Sequence, residues 1–244
     1  MSSKTFPTLE VEHQLLKSGA RFVIGIDEVG RGSIAGPVAV GVSLLDSHSE
    51  AFLQPWPTKL RDSKLMSEKT RTELLPSLDV WVAGHAVGFS SAQEIDERGI
   101  VVALALSAGR ALETMLSDEH LRGLIALDGA VILLDGSHNW LGSKAAGIPV
   151  QVRTKADRDC VSVAAASVFA KVERDALMVE LASDFHQYGF DGHKGYASEQ
   201  HILAVREFGP SSQHRVTWLT KILAGSKYDP SLTANNDLET IVVD

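Results

Sequence analysis

The sequence predicts a mixed α/β fold, in which one β-sheet is flanked by helices and followed by a C-terminal helical segment. Three observations favour this class: short apolar runs separated by turns, longer stretches with helical periodicity, and only helical patterns after residue 153. Short apolar runs bounded by turn residues are typical of buried strands. Such strands interspersed with helices are typical of layered α/β domains.

Three apolar runs in the first ninety residues predict the first three strands. They cover residues 22–27, 37–45 and 80–89, and a glycine-rich turn joins the first two. Consecutive strands are mostly neighbours, so we expect these three to be adjacent and antiparallel. Later apolar runs, 124–127 and 131–134, each end in Asp-Gly, and residues 149–153 predict a short strand. The predicted order is three strands, helix, strand, helix, strand, and then helices only.

Capping residues and periodicity predict the helices. Ser67 opens a short helix to about residue 78, and the capping box of Ser91 and Glu94 opens a long helix to about residue 116. Asp159 is a candidate cap for a long alanine-rich helix. The later helices are predicted over residues 161–182, 198–208 and 214–223.

The chain has 244 residues and a mass of 26.3 kDa, enough for one domain with a small appendage. We divide it into a lead-in (1–17), a main domain (18–185), a helical segment (186–226) and an acidic tail (227–244). The tail has no periodicity, and we expect it to be disordered. The composition, 44% apolar and 22% charged, excludes disorder of the whole chain.

Cysteine content and hydropathy limit the compartment. The single cysteine, Cys160, excludes an intramolecular disulfide. The N-terminus has no apolar signal core, and the longest charge-free stretch, residues 32–45, is too short to span a bilayer. We therefore expect a cytoplasmic protein that does not associate with membranes, and we expect it to be a monomer.

The distribution of charge is more informative than its sum. The formal net charge is −8, which argues against a protein that coats nucleic acid without specificity. Residues 1–143 carry a net charge of −6, whereas residues 144–228 carry +2. Such a chain still binds a polyanion if bound cations neutralise some of its carboxylates.

Asp27 and Glu28 form the sharpest polar feature. They end the first predicted strand, where adjacent side chains point to opposite faces. Both carboxylates serve one site only if the chain leaves the strand there, and Gly30 and Gly32 permit such an exit. Two carboxylates beside a glycine loop predict a hard-cation site, with a solvated Asp-Glu turn as the alternative.

The same stretch resembles the signature of type 2 ribonucleases H, the ribonuclease HII family. The resemblance starts with residues 23–32 (VIGIDEVGRG) and extends over about residues 21–220 in the family's order. The further matching motifs are 35–38 (AGPV), 62–64 (DSK), 94–97 (EIDE), 134–136 (LDG), 155–157 (KAD), 165–167 (AAS), 170–172 (AKV), 174–175 (RD), 188–190 (YGF), 194–196 (KGY) and 214–215 (HR).

This resemblance implies a ribonuclease H-like fold and an endonuclease. The implied activity is cleavage of the RNA strand of RNA/DNA hybrids and of duplex DNA on the 5′ side of single embedded ribonucleotides. The implied products carry 3′-hydroxyl and 5′-phosphate ends. The chain departs from the family at Ser33 and Ile34, where proline and leucine are common, and at residues 65–66. None of these positions is a carboxylate.

Site residues follow from the resemblance position by position. The loop that reads the 2′-hydroxyl falls on Gly30, Arg31 and Gly32, and the tyrosine at the ribose junction falls on Tyr196. A loop anchor is the alternative role for Tyr196, and a tight turn that of the glycines. The metal-binding, catalytic carboxylates fall on Asp27, Glu28, Asp135 and Asp157.

Two of these carboxylates have rivals nearby in the sequence. Asp128 and Asp135 both precede a glycine after an apolar run. Asp135 follows the longer run and has the family's spacing to the next motif, so we favour it and expect Asp128 in a turn. Asp159 competes with Asp157, and the family's count back from Ser167 favours Asp157.

The residue types agree with phosphodiester hydrolysis. Two divalent cations, Mg²⁺ or Mn²⁺, can act on opposite sides of an in-line displacement, and four carboxylates balance their charge. The partner would be a ribose-containing duplex, whose 2′-hydroxyls line a wide minor groove. The rival functions are a DNA nuclease of related fold and a silent hybrid-binding protein. Candidate phosphate contacts, each also explicable as a solvated charge, are Lys155, Lys171, Lys194 and Arg215.

Overall fold

The computed structural model describes residues 6–231 as a mixed sheet flanked by helices. The strands are β1 (Phe22–Val29), β2 (Val38–Asp46), β3 (Gly84–Ser90), β4 (Ala130–Asp135) and β5 (Val150–Arg153). The helices are α1 (Glu10–Lys17), α2 (Glu68–Trp81), α3 (Ala92–Arg98), α4 (Ile100–Met115), α5 (Glu119–Asp128), α6 (Ala156–Asp159), α7 (Val161–Asp184), α8 (Phe190–His193), α9 (Glu199–Phe208) and α10 (Thr220–Leu223).

The sheet has the strand order β3-β2-β1-β4-β5. The first three strands are antiparallel neighbours, as the sequence predicts, and β4 and β5 join them in parallel with β1. The carboxyl ends of β1, β4 and β5 therefore meet at one edge of the sheet. The predicted fold class, a mixed sheet flanked by helices, is confirmed.

Each face of the sheet is covered by one long helix. α7 packs on β1 and β2, and α4 packs on β2 and β3. The approach of α7 depends on glycines in the sheet, because a Cβ at Gly25 or Gly41 would collide with the helix backbone at Ser162 or Ala166. Buried apolar side chains form a separate core on each face. Residues 131–135 of β4 are thereby held between two packed layers.

The third strand is shorter than predicted. It begins at Gly84 rather than at residue 80, because Val80 and Trp81 complete α2. The Trp81 side chain is buried in the core below α7, and its Nε1 donates to the Gln54 carbonyl. An apolar pair at the end of an amphipathic helix reads like the start of a strand when only the sequence is available.

The long helix predicted after Ser91 is two helices. The capping box is present, with the Ser91 hydroxyl and the Glu94 carboxylate each accepting the other residue's N–H. Gly99 then takes a φ of +79° and separates α3 from α4. The apolar run 124–127 is part of α5, which precedes β4. The helix predicted between the last two strands is absent from the described chain, and a 3₁₀ turn (Gly142–Ala145) connects β4 to β5 instead.

Asp159 does not cap α7, contrary to the sequence prediction. Cys160 occupies the N-cap position, and Asp159 Oδ2 accepts a hydrogen bond from Arg153 Nη2 at 2.7 Å. The buried carboxylate of Glu12, in α1, accepts hydrogen bonds from Ser162 N and Oγ, both at 2.8 Å. The predicted lead-in therefore supplies the group that satisfies the start of α7.

The C-terminal helical segment packs through its own apolar cluster, which includes Tyr188, Phe190 and Val205. α9 begins after the Ser198 cap, as predicted, but residues 214–223 form a 3₁₀ turn (Val216–Trp218) followed by the short α10. Most of the predicted acidic tail, from residue 232, lies outside the described residues. The division into four segments stays a prediction.

Within residues 6–231, no single helix is long and apolar enough to cross a membrane. Helices α4 and α5 would be long and apolar enough only when taken together, and the chain bends by 104° between them.

Candidate active site

Asp27 and Glu28 lie inside β1, not beyond its end. They pair in register with Gly41 and Val40 of β2, and the chain leaves the strand only at Gly30. On the other side of β1, pairing with β4 stops one residue before Asp27. The two side chains therefore reach the same open edge of the sheet although they are adjacent in a strand, a possibility that strand alternation alone does not predict.

The structure brings Asp27, Glu28 and Asp135 together. One carboxylate oxygen from each lies within 4.8 Å of the other two. Asp135 ends β4, next to β1, and its Oδ1 accepts a hydrogen bond from Ala156 N at 2.7 Å. Asp128 lies at the opposite end of β4, where its Oδ2 pairs with Arg21 Nη1 at 2.8 Å. Of the two Asp-Gly aspartates, Asp135 is the one at the cluster.

Asp157 lies beside this group in the short helix α6. Its carboxylate is nearly buried, and its Oδ2 lies 3.7 Å from Lys64 Nζ. Asp159, its rival in the sequence, is held by Arg153 instead. Asp157 is thus the fourth carboxylate near the cluster, although it is not among the three whose oxygens converge.

Burial and mutual repulsion disfavour the charged forms of these carboxylates. Burial, then the charges of Glu28, Asp135 and Asp157, raise the pKa of Asp27 well above its usual value, against the opposing attraction of Lys64. Burial raises the pKa of Glu28 as well, although the charge of Arg31, whose Nη1 lies 3.3 Å from Glu28 Oε1, opposes the shift. Burial and the charges of Asp62 and Asp135 raise the pKa of Asp157. Negative charge on the cluster is therefore unfavourable unless a cation balances it.

The donor set fits hard divalent cations. Asp27 Oδ2 is fully buried and makes no hydrogen bond within the described part of the chain. A cation would satisfy this oxygen and offset both the burial and the mutual repulsion that raise the three pKa values. All the converging groups are carboxylates, the ligands that Mg²⁺ and Mn²⁺ prefer.

The glycine loop, residues 30–32, follows directly on β1, and the surroundings of its two glycines differ. Gly30 has a φ of +80°, and a Cβ there would collide with the Arg174 side chain. Gly32 is exposed, and a Cβ there would meet no atom within 4 Å. The fold therefore requires a glycine at position 30 but not at position 32. The open space around Gly32 leaves room for a close approach from outside.

Tyr196 has an anchored backbone and an exposed ring. Its N–H donates to the His193 carbonyl, and its own carbonyl accepts from His201 Nδ1 at 2.8 Å. Its side chain is 39% exposed, and the Arg174 guanidinium lies 5.8 Å from the ring centroid. The ring is thus held near the glycine loop with part of its surface free, which agrees with the predicted stacking role without testing it.

The four predicted phosphate contacts differ in their surroundings. The prediction is wrong for Arg215, which is completely buried and donates only to backbone carbonyls. The Lys171 ammonium is bound by Asp175, and Lys194 Nζ donates to the Asp191 carbonyl. Lys155 is exposed, one residue before the N–H that binds Asp135, and it stays a candidate.

Lys64 and Arg174 were not singled out from the sequence. Both lie in motifs that carry the family resemblance, but a lysine or arginine in a motif has many possible roles. Lys64 is drawn to the site because the Asp62 side chain caps the 3₁₀ turn (Ser63–Leu65) that carries it. Partial burial opposes charge on Lys64, but attraction by Asp27, Asp62 and Asp157 outweighs burial and raises its pKa.

Known proteins resemble this chain both in sequence and in fold. The family model described as ribonuclease HII matches residues 24–221. A ribonuclease HII of Streptomyces coelicolor is 42% identical over 87% of this chain and 83% of its own length, and one of Streptomyces griseus is 44% identical over 87% and 84%. The crystal structure of ribonuclease H2 from Pyrococcus horikoshii has a TM-score of 0.65 and 25% identity, covering 83% of this chain and 97% of that one. The chain therefore belongs to the ribonuclease HII family and is a ribonuclease H, a hydrolase that cleaves the RNA strand of RNA/DNA hybrids.

Proposed function

We propose that this ribonuclease uses two divalent cations, Mg²⁺ or Mn²⁺, and also cuts duplex DNA on the 5′ side of a single embedded ribonucleotide. The products would carry 5′-phosphate and 3′-hydroxyl ends. The observation that carries the proposal is the convergence of the Asp27, Glu28 and Asp135 carboxylates at the sheet edge from which the glycine loop emerges. The cluster supports the chemistry, and the loop supports recognition of ribose.

The carboxylates would hold the cations and set their positions. Asp27, Glu28 and Asp135 offer converging oxygens, and Asp157 offers a fourth carboxylate beside them. When bound, two such cations activate a water and stabilise the leaving oxygen of an in-line displacement. Lys64 lies at the rim with a largely exposed side chain, in position to meet a substrate phosphate.

Ribose recognition would come from the loop and the tyrosine. The N–H groups of Arg31 and Gly32 have no backbone acceptor within residues 6–231 and belong to exposed residues. A 2′-hydroxyl both donates and accepts hydrogen bonds, and it distinguishes RNA from DNA at a given position. The exposed Tyr196 ring would stack on the sugar or base beside the cut.

The test compares two conservative variants, Asp135→Asn and Asp128→Asn. Asp135→Asn should lower kcat in Mg²⁺ by more than about a hundredfold, because it removes charge where the reaction needs it. Asp128→Asn breaks only the pair with Arg21 at the far end of β4 and should keep most of the activity. The measurement is cleavage of a duplex with one ribonucleotide and of a continuous hybrid.

Circular dichroism should show that both variants are folded before their rates are compared. If Asp128→Asn is the inactive variant, the assignment of the third carboxylate fails. Rapid cleavage by the wild-type protein in EDTA would contradict the use of cations, and cleavage of the hybrid alone would contradict activity at single ribonucleotides.

A further inference from the structure

Two arginines lie completely buried behind the glycine loop. Arg174, in α7, and Arg215, after α9, are the two largest fully buried side chains in the described part of the chain. Burying a guanidinium is costly unless its donors are satisfied. Their acceptors therefore show what the buried charge is used for.

Arg215 binds the carbonyls of the loop itself. Its Nη2 donates to the Gly30 carbonyl at 2.7 Å, and its Nη1 donates to the Arg31 carbonyl at 2.9 Å. Nη2 and Nε also donate to the Gly36 carbonyl, at 3.1 and 3.3 Å. One planar guanidinium thus fixes both ends of the turn.

The direction of these carbonyls fixes the direction of two N–H groups. In a planar trans peptide, the C=O of one residue and the N–H of the next point to opposite sides. Because the Gly30 and Arg31 carbonyls point inward to Arg215, the N–H groups of Arg31 and Gly32 point away from it. Arg31 and Gly32 are exposed, so this direction is toward the surface.

Arg174 joins this loop to the segment that carries Tyr196. Its Nε donates to the Pro37 carbonyl at 2.8 Å, and its Nη2 donates to Ser33 Oγ at 3.0 Å and to the Ala35 carbonyl at 3.3 Å. Its Nη1 donates to the Lys194 carbonyl at 3.0 Å. The backbone N–H groups of residues 34 and 35 also donate to the Gly195 carbonyl. The glycine loop and the tyrosine loop therefore form one unit.

All the acceptors of both arginines are neutral carbonyl or hydroxyl oxygens. Burial and the like charge of Arg174 lower the pKa of Arg215 to about 9, so Arg215 still carries its charge at neutral pH. Positive charge held below a loop of outward N–H groups favours an electron-rich group at that surface.

We propose that Arg215 and Arg174 are positioning residues for ribose recognition. Arg215 holds the loop peptides with their N–H groups facing the substrate, and Arg174 keeps the Tyr196 segment in register with them. This inference rests on the proposed reading of the 2′-hydroxyl by the loop. Both side chains are completely buried, so neither can contact a phosphate directly, and we expect the two arginines to affect discrimination more than general affinity for the duplex.

The test measures discrimination in the Arg215→Lys and Arg174→Lys variants. Lysine keeps the charge but cannot reproduce the planar fork that binds several carbonyls. The first readout is kcat/KM in Mg²⁺ on a duplex with one ribonucleotide. The second is the inhibition constant of an identical all-DNA duplex in the same assay. We expect kcat/KM to fall about tenfold or more, the effect of misplacing one or two hydrogen bonds, while the inhibition constant changes less than about threefold.

Two further variants keep the test decisive. Arg21→Lys is the matched control, because it weakens a bidentate pair with Asp46 at the far end of β1 and should change neither readout. Ser33→Ala removes one acceptor of Arg174 without touching either arginine, and should shift kcat/KM in the same direction by about threefold. Ser33→Ala decides the question if the lysine variants do not fold.

The outcomes separate this inference from the proposed function. A wild-type enzyme that cleaves the all-DNA duplex as fast as the ribonucleotide-containing one would overturn the proposed function. A wild-type enzyme that discriminates, together with folded Arg215→Lys and Ser33→Ala variants that discriminate equally well, would overturn only the role of the arginines. A parallel loss in kcat/KM and in affinity for all-DNA duplex would also overturn it.

Discussion

Replacing Asp27 by asparagine should stabilise the metal-free protein while it abolishes cleavage. The Asp27 side chain is 1% exposed, its Oδ2 has no hydrogen bond within the described chain, and three other carboxylates repel its charge. Asparagine has nearly the same shape and no charge. The substitution therefore removes an unfavourable interaction that the protein tolerates because the cation site needs it.

The size of the effect follows from the cost of the buried group. A buried polar group without a partner costs about 1–3 kcal/mol, and a charged one costs more. Asparagine leaves part of this cost in place, so we expect a gain of about 1–2 kcal/mol in the free energy of unfolding. For a chain of this length, each kcal/mol raises Tm by about 2–4 °C.

The pH dependence has a definite sign. Burial and the neighbouring charges raise the pKa of Asp27 in the folded state above its ordinary value of 3.8. The folded protein binds the Asp27 proton more tightly than the unfolded chain does, and this adds to the free energy of unfolding at low pH. The contribution is fully present below pH 3.8 and is lost as the pH rises through the raised pKa of the folded state. The Tm advantage of Asp27→Asn should therefore be small near pH 4 and larger at pH 8.

Thermal denaturation in EDTA and in Mg²⁺ tests this reasoning. Mg²⁺ should raise the Tm of the wild-type protein more than that of Asp27→Asn, because only the wild type offers the full ligand set. Asp128→Asn is the control and should lower Tm, because it breaks the ion pair with Arg21. An Asp27→Asn protein that is less stable than the wild type in EDTA at pH 8 would refute the account of the cluster.

Further predictions concern the loop and the tyrosine. Gly32→Ala should keep its Tm, because the added methyl group meets only open space in the protein. It should lose most of its activity at a single ribonucleotide, because the substrate would approach the loop through that same space. Gly30→Ala should lower Tm, since its Cβ would collide with Arg174 and its φ is +80°; melting curves and kcat/KM separate the two variants. Tyr196→Ala should lose about 1–3 kcal/mol of transition-state stabilisation at a single ribonucleotide and less on a continuous hybrid, whereas Tyr196→Phe keeps most of it. Equal losses on both substrates would leave Tyr196 a loop anchor.

Most elements of the fold could be predicted from local patterns in the sequence. The apolar runs of β1 and β2 and the cap at Ser198 depend on neighbouring residues, and the structure has them close to their predicted positions. The boundary between α2 and β3 was misplaced because Val80 and Trp81 suit a helix end and a strand start equally well. Burial decides between the two, and burial depends on the tertiary fold.

The other errors also arise from contacts between residues that are far apart in the sequence. Glu12 caps α7 across a separation of 150 residues, so nearby Asp159 was the more obvious candidate in the sequence. Arg215 is a candidate phosphate contact in the sequence, and arginine is rarely buried. Its acceptors, however, lie 184 and 185 residues away in the glycine loop, a distance over which the sequence gives no signal. The Asp27-Glu28 pair, by contrast, was recognisable because both carboxylates and the glycine loop are consecutive.

Mapping the ends of the products from a duplex with one ribonucleotide tests the central claim most directly. The account predicts a single cut on the 5′ side of the ribonucleotide in Mg²⁺, with 3′-hydroxyl and 5′-phosphate ends, and no cut in the matching all-DNA duplex. A cut on the 3′ side that leaves a 2′,3′-cyclic phosphate would contradict it, because the ribose hydroxyl would then be the nucleophile. Equal cutting of the all-DNA duplex would contradict it as well.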